Sequence, residues 1–238
     1  TRLEECPNVF VKRIKVRPFD GFVPSFRMEL RKNDYDLVFL SQVFFDSGSR
    51  VEDLKDIVSA VSNPDTVIVI DGYHAFCAIP TSLATIQDRV YYIAGGYKYA
   101  QYGEGACFMC VPKGSTLRPE NTGWFAEFGA LEETPLGRVS YPDDAFRFWG
   151  ATFDPAGLYR LNAVAQWMRA KRLTIANIHL HVSSLQEYFF SQMKQRRPEV
   201  VVRRDQVTPE NPTRRGHFVA YDCVRSAFAA PIKAALAR

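Results

Sequence analysis

The stretch that decides the fold reads VIVIDGYHAFCAIP at residues 67–80 and RVYYIAGGYKYAQYGEGACFMC at residues 89–110. Its opening run of Val and Ile is typical of a strand buried on both faces of a sheet, and that run ends in Asp71. A second apolar run, at residues 90–94, ends in a Gly-Gly turn before Lys98. Ligands of open α/β sheets bind at the carboxyl ends of parallel strands. Adjacent parallel strands joined by a crossover would bring the acid and the lysine to one such edge.

An acid and a lysine in this arrangement suit the chemistry of pyridoxal phosphate. That cofactor forms a Schiff base with a lysine amine, which would be Lys98. A carboxylate, here Asp71, keeps the pyridine nitrogen protonated so that the ring can accept electrons. The alternative is an Asp71 that caps the following helix and a Lys98 that lies in solvent, because acids are common at such positions.

Strand and helix patterns alternate around this stretch. Residues 36–45 predict another buried strand, residues 51–61 have helical spacing, and residues 83–87 predict a short crossover helix. This order is typical of a parallel sheet with crossovers, so we predict the α/β class. Near the start, residues 9–16 predict an edge strand or a half-exposed one, and residues 18–24 predict a loop.

Composition and charge exclude several classes of protein. The 238 residues, 47% of them hydrophobic, suffice for a sizeable core and one or two domains. The net charge of +4 is mild and the basic residues are scattered, which argues against nucleic-acid binding. No apolar run approaches the roughly 20 residues that span a bilayer. Five irregularly spaced cysteines favour reduced thiols, and we therefore expect a cytoplasmic protein.

Two clusters that resemble metal sites have ordinary explanations. Cys107 and Cys110 form a C-x-x-C without a second pair, inside an apolar strand, which predicts core packing. His179 and His181 are two apart on a predicted helix and so point in different directions. We expect no metal site.

The motif Asp71-x-x-His74, followed by Tyr97-Lys98 and a Gly-rich turn, resembles the fold-type I, class V pyridoxal-phosphate enzymes. Gly123-Trp124 and Gly150-Ala-Thr152 add to the resemblance. Within that family the sequence is most similar to the kynureninase branch and its aminotransferase neighbours. The resemblance implies a large-domain sheet over residues 1–155, then a linking helix and part of a small α+β domain over residues 156–238.

In that second part, residues 156–172 and 173–193 predict helices, and residues 196–204 and 217–221 predict strands. A final helix is predicted at residues 224–236. Class V enzymes are nearly twice as long as this chain, so the resemblance implies an internal part that lacks both ends. The phosphate-cradling loop, the ring-stacking aromatic and the arginine for the substrate carboxylate would then lie outside it.

The resemblance also implies roles for individual residues. Lys98 would hold the cofactor and act as general base, and Asp71 would contact the pyridine nitrogen. His74 would lie close to the cofactor ring, although a lone His is more often a structural hydrogen-bonding residue. Tyr97 and Trp124 would approach the cofactor phosphate.

Two further residues have weaker support. Ser41 lies where the family has a strand and loop near the cofactor, or it satisfies a buried backbone group. Thr152 would reach the phosphate held by a partner subunit, which predicts a homodimer with shared active sites. The aromatic residues beside Thr152 suit such an interface, or they pack within their own subunit.

The predicted activity is aminotransfer, with an amino acid as the small-molecule substrate. Hydrolytic cleavage of a Cβ–Cγ bond, as in kynureninase, is the alternative that Tyr97 and Trp124 favour. A non-catalytic relative without bound cofactor is the second alternative.

Overall fold

The structure is a computed structural model that describes residues 2–132, 137–195, 202–203 and 208–223, with residues 230 and 234. Its helices are α1 (Phe19–Lys32), α2 (Leu54–Val58), α3 (Ala156–Ala170) and α4 (Ile175–Gln195). Its strands are β1 (Leu37–Ser41), β2 (Val67–Asp71), β3 (Val90–Gly95), β4 (Cys107–Cys110), β5 (Val202–Arg203) and β6 (Asp222–Cys223). Short 3₁₀ helices lie at Arg2–Glu5, Trp124–Ala130, Ala145–Phe148 and Pro212–Arg214.

The main sheet is mostly parallel, as the sequence predicts. Its strand order is β1-β2-β3-β4, with β1, β2 and β3 parallel and β4 antiparallel to β3. A separate two-stranded antiparallel sheet joins β5 to β6. The α/β fold class is confirmed.

One face of the main sheet forms the core. Alternate residues of β1 and β2 (Val38, Leu40, Ile68, Ile70) are buried against apolar side chains of α1 and α2. The other face is more open, because Leu37 and Phe39 of β1 are 45% and 56% exposed. The period of two along a strand explains the contrast.

Several predicted elements are wrong. Residues 18–24 enter α1 instead of forming a loop, because Pro18 lies at the helix start, where a missing N–H costs little, and Phe19 and Phe22 turn into the core. Residues 9–16 have no strand partner among the described residues; their apolar alternation instead lets Ile14 and Val16 pack on the core.

Three further expectations also differ. Residues 84–87 form turns rather than a helix, and residues 217–221 have no strand pairing. Cys107 and Cys110 are exposed rather than in the core, because β4 is an edge strand of the sheet. Most of the helix predicted at 224–236 and most of the strand predicted at 196–204 lie outside the described residues.

The second part of the chain is attached to the first through residues 208–218. Arg215 is 1% exposed, and its guanidinium donates to Gln186 Oε1 at 3.0 Å and forms an ion pair with Glu187 of α4. The backbone N–H of Gly216 donates to the carbonyl of Gly48 at 2.7 Å. These bonds bring the 208–218 segment against the loop that follows β1.

A pair of leucines on β1 tests which face carries the stability. Leu40→Ala should lower the free energy of unfolding by about 2–5 kcal/mol, because Leu40 is buried and truncation leaves a cavity. Leu37→Ala removes the same atoms from a half-exposed position and should cost less than about 1 kcal/mol. Denaturant unfolding measures both, and equal losses would contradict the assignment of the core face.

Candidate active site

The carboxyl ends of the three parallel strands lie at one edge of the sheet. Ser41, the last residue of β1, is paired in register with Asp71, the last residue of β2. Asp71 is in turn paired with Ile93 of β3, three positions ahead of the turn at Gly96. Strand pairing therefore brings Ser41, Asp71 and the turn that carries Lys98 to the same edge, where α/β sheets bind their ligands.

Both carboxylate oxygens of Asp71 accept a hydrogen bond. The Ser41 hydroxyl donates to Oδ2 at 3.1 Å, and the backbone N–H of Tyr73 donates to Oδ1 at 2.9 Å. The second bond closes a turn directly after the strand. Asp71 is thus fixed in orientation and does not cap a helix.

Close packing fixes the turn before Lys98. A Cβ on Gly96 would lie 1.9 Å from the ring of Tyr102, and a Cβ on Gly95 would lie 2.7 Å from the ring of Tyr73. No side chain fits at either position. The Gly-Gly pair lets two tyrosine rings pack directly against the backbone, which sets where Lys98 leaves the sheet.

Lys98 and His74 form the central contact of the site. Lys98 Nζ lies 2.6 Å from His74 Nε2. An ammonium group only donates, so Nε2 accepts whenever Lys98 is charged. Burial and the Lys98 charge lower the pKa of His74, against an opposing effect of Asp71. This favours the neutral imidazole that can accept such a bond.

The amine of Lys98 is itself easier to deprotonate than an ordinary lysine. Burial lowers its pKa, while the negative charge of Asp71 raises it and only partly offsets the effect of burial. A partly buried lysine with a lowered pKa is the usual form of a nucleophilic or base-acting amine.

Aromatic side chains surround the Lys98–His74 pair. Lys98 Nζ lies 5.5 Å from the ring centroids of both Tyr73 and Tyr97. Tyr97 is 43% exposed. The imidazole of His74 packs against three further rings, those of Phe45, Tyr99 and Phe218.

Five of the seven residues predicted for the site therefore meet at this edge: Ser41, Asp71, His74, Tyr97 and Lys98. Trp124 is 54% exposed, and no ring contact of the described residues joins it to these five. Among the described residues, the ring contacts of Trp124 are to Phe125 and Phe128. Thr152 is exposed.

The two predicted turns that contain Trp124 and Thr152 do meet each other. A Cβ on Gly123 would lie 2.4 Å from the carbonyl oxygen of Gly150. The surrounding aromatic residues form one cluster, which we call the aromatic patch: Trp124, Phe125, Phe128, Phe146, Trp149 and Phe153. Four of its members (Trp124, Phe128, Phe146 and Phe153) are 45–56% exposed.

The sequence analysis missed Tyr73 and Phe218. Tyr73 could have been found, because Asp-Gly-Tyr after a strand is typical of a turn in which the carboxylate accepts from the backbone two residues later. Phe218 comes from the second part of the chain, and no local pattern connects it with His74.

The residues present fit pyridoxal phosphate. The edge offers an amine with a lowered pKa, a carboxylate held by two hydrogen bonds and a half-exposed phenol. Buried Nδ1 of His74 has no hydrogen-bond partner among the described residues, so a polar ligand could still satisfy it.

Among the described residues, no group of three or more His, Cys, Asp or Glu could hold a metal ion. Nor does any described helix have the length and apolar character to cross a membrane.

The model of the family "Aminotransferase class-V" matches residues 2–220 of the chain. The chain belongs to the class V aminotransferase family. This is a pyridoxal-phosphate-dependent family, in agreement with the resemblance drawn from Asp71, His74 and Lys98. A search of curated proteins found no match.

One solved structure supports the same fold for this class V chain, and two others have lower TM-scores. The apo structure of cysteine desulfurase from Thermococcus onnurineus NA1 superposes with a TM-score of 0.69 at 15% identity, over 90% of this chain and 50% of that one. An alanine–glyoxylate aminotransferase from Nostoc sp. has a TM-score of 0.49 at 14% identity, over 82% and 48% of the two chains. The aspartate aminotransferase of subgroup IV from Thermus thermophilus has a TM-score of 0.43 at 15% identity, over 79% and 49%. The class V chain thus spans about half the length of these structures.

Replacing Asp71 should make Lys98 still less basic. Asp71→Asn removes the negative charge that favours the ammonium, so the pKa of Lys98 should fall below its value in the unmodified protein. The pH dependence of Lys98 acylation, followed by peptide mass spectrometry, measures that pKa. Asp46→Asn is the matched control, since Asp46 is exposed and pairs with Arg17. A pKa that rises, or falls equally in the control, would contradict the electrostatic coupling.

Proposed function

We propose that the protein is a pyridoxal-phosphate-dependent enzyme that transfers the amino group of an amino acid. The observation that carries this proposal is the pairing of β2 with β3, which puts Asp71 and the Lys98 turn at one sheet edge. Membership of the class V family supports it independently. The substrate and the reaction type are proposals, because the chain spans about half the length of the solved cysteine desulfurase that it resembles.

Two residues would bind the reactive parts of the cofactor. When bound, the cofactor supplies an electron-accepting ring that stabilises negative charge at the substrate α-carbon. Lys98 would hold it covalently through Nζ. The carboxylate of Asp71 would form an ion pair with the protonated ring nitrogen. Ser41 and the backbone of Tyr73 already orient this carboxylate.

Lys98 would then move the proton at the substrate α-carbon. A free amine is required for that step, and burial lowers the pKa of Lys98 in the needed direction. His74 Nε2 lies 2.6 Å from this amine and can orient it. The hydroxyl of Tyr97, which is exposed beside Lys98, would donate a hydrogen bond to the phosphate.

One observation favours a second reaction. Tyr97, directly before the lysine, and Trp124 are the residues by which the sequence resembles the kynureninase branch, and the ring of Tyr97 packs on that of Tyr73 at 5.7 Å. A hydrolase that cleaves a Cβ–Cγ bond is therefore the alternative. A relative without bound cofactor is the further alternative, which cofactor binding itself tests.

We further propose a homodimer in which the aromatic patch lies at the interface and Thr152 completes the partner's site. Exposed aromatic side chains in one cluster support this, because such residues are enriched at interface cores. Trp124 would approach the phosphate from the same patch. The proposed division of the chain at residues 155 and 156 puts the patch at the end of the large domain.

We also propose a cytoplasmic location, which is supported by four cysteines that are free thiols: Cys6, Cys77, Cys107 and Cys110.

Borohydride reduction tests the cofactor lysine. After the protein is loaded with pyridoxal phosphate, reduced and digested, the cofactor should remain attached as a label to the peptide that contains Lys98. Lys98→Arg should abolish labelling, and the exposed Lys113→Arg should leave it unchanged. A label on another lysine would refute the assignment, and no visible absorption band on loading would favour the relative without cofactor.

Thr152→Ala tests the shared site. Loss of one hydrogen bond to a charged phosphate should weaken cofactor retention by about tenfold, while the protein remains dimeric. Dialysis against buffer followed by absorbance measures retention, and sedimentation measures the oligomeric state. The exposed Thr85→Ala serves as control. A monomer that retains the cofactor fully would refute the shared site.

A further inference from the structure

The imidazole of His74 is held at one nitrogen only. Its Nε2 contacts Lys98 Nζ at 2.6 Å. Its Nδ1 is buried, and no described residue bonds to it. In proteins the second ring nitrogen of a functional His usually bonds to a carboxylate or a carbonyl, which fixes the plane of the ring. His74 lacks that bond within the described residues, so packing must fix its orientation.

Of the three rings that pack on His74, Phe218 is best placed to do so. Its centroid lies 5.2 Å from that of the imidazole, with the planes at 60°. Phe45 lies at 5.6 Å but is 79% exposed, and Tyr99 lies at 6.5 Å. Phe218 also packs on the buried cluster of Val43, Ala75, Ala78 and Ile79, which contains residues next to His74 in sequence.

A group of strong bonds immobilises the segment that carries Phe218. The Arg215 guanidinium bonds to Gln186, Glu187 and the carbonyl of Glu210, and lies 4.8 Å from the ring of Phe190. The next residue, Gly216, is held at both backbone groups: its N–H donates to Gly48 and its carbonyl accepts from Gln186 Nε2 at 2.9 Å.

His217, the residue between Gly216 and Phe218, adds a further connection. It bonds to His179 of α4 at 2.9 Å and packs on Tyr99 at 5.4 Å. Residues 215–218 thus connect α4 rigidly to the rings around Lys98, although they lie far from Lys98 in sequence.

We infer that Phe218 is a positioning residue for the Lys98–His74 pair, and that buried Arg215 anchors the segment that holds Phe218 in place. The inference rests on the proposed function only in treating Lys98 as the reactive amine. Phe218 acts through His74: it limits rotation of the imidazole and excludes water from it. Nε2 then stays directed at Lys98 Nζ, and the amine keeps a defined position.

The test measures the imidazole of His74 in the full chain without cofactor. The chain has only four histidines, so their titrations can be resolved by NMR after histidine labelling. Burial is the main cause that lowers the pKa of His74, with the positive charge of Lys98 adding to it and Asp71 opposing it. Phe218→Ala leaves both charges in place and admits water, so the pKa should rise by about half a unit or more.

Phe189→Ala is the matched control. Phe189 also lies in the second part of the chain, and its ring contacts the rings of Phe190 and Tyr221. Its removal should lower stability without moving the pKa of His74. Phe218→Leu gives a folded variant if Phe218→Ala unfolds, and it should produce a smaller rise. Arg215→Lys should reproduce the rise, because one ammonium cannot replace the three bonds of the guanidinium.

The outcomes are distinct. An unchanged His74 pKa in the folded Phe218 variants, or an equal shift in Phe189→Ala, overturns the inference. An unchanged pKa in Arg215→Lys overturns the anchoring role. If borohydride labels Lys98 and the His74 pKa does not move, the proposed function stands and this inference fails. If the pKa moves but Lys98 is never labelled, the positioning role stands and the proposed function fails.

Discussion

The in-register parallel pairing of three short strands is the constraint on which the site depends. Ser41 pairs with Asp71, and Asp71 pairs with Ile93. A slip of one residue would turn Asp71 to the opposite face and separate it from the Ser41 hydroxyl. The buried alternation of Val38, Leu40, Ile68 and Ile70 prevents this slip, because it would also expose the core. Stability of the sheet and geometry of the site are therefore set by the same residues.

The electrostatics of the site follow from its partial burial. Removing Lys98 and His74 from water lowers both pKa values, and each positive charge would further destabilise the other. The carboxylate of Asp71 works in the opposite direction for both groups. This balance favours a neutral imidazole at His74 beside an amine that loses its proton more readily than that of an ordinary lysine.

The sequence predicted the parts of the site that strand ends define. Val-Ile runs mark buried strands, and the acid and the Gly-Gly-Tyr-Lys turn that follow them could be placed at one edge from topology alone. Phe218 could not, because its contact with His74 depends on Arg215 and α4, and no local pattern encodes that docking. Helix α1 was missed for a different reason: Pro18 resembles a loop signal, although a proline just before a helix is tolerated. The roles of Trp124 and Thr152 stay predictions, and that of Thr152 needs a second subunit for its test.

The open face of the main sheet carries both exposed apolar side chains and the carboxylate of Asp71. Ser41 and Asp71 follow Leu37 and Phe39, and Val67 and Val69, at intervals of two, so the acid projects from the same face as these apolar side chains. An exposed apolar surface favours association with a partner, and a partner that covered Leu37 and Phe39 would lie beside the carboxylate of Asp71.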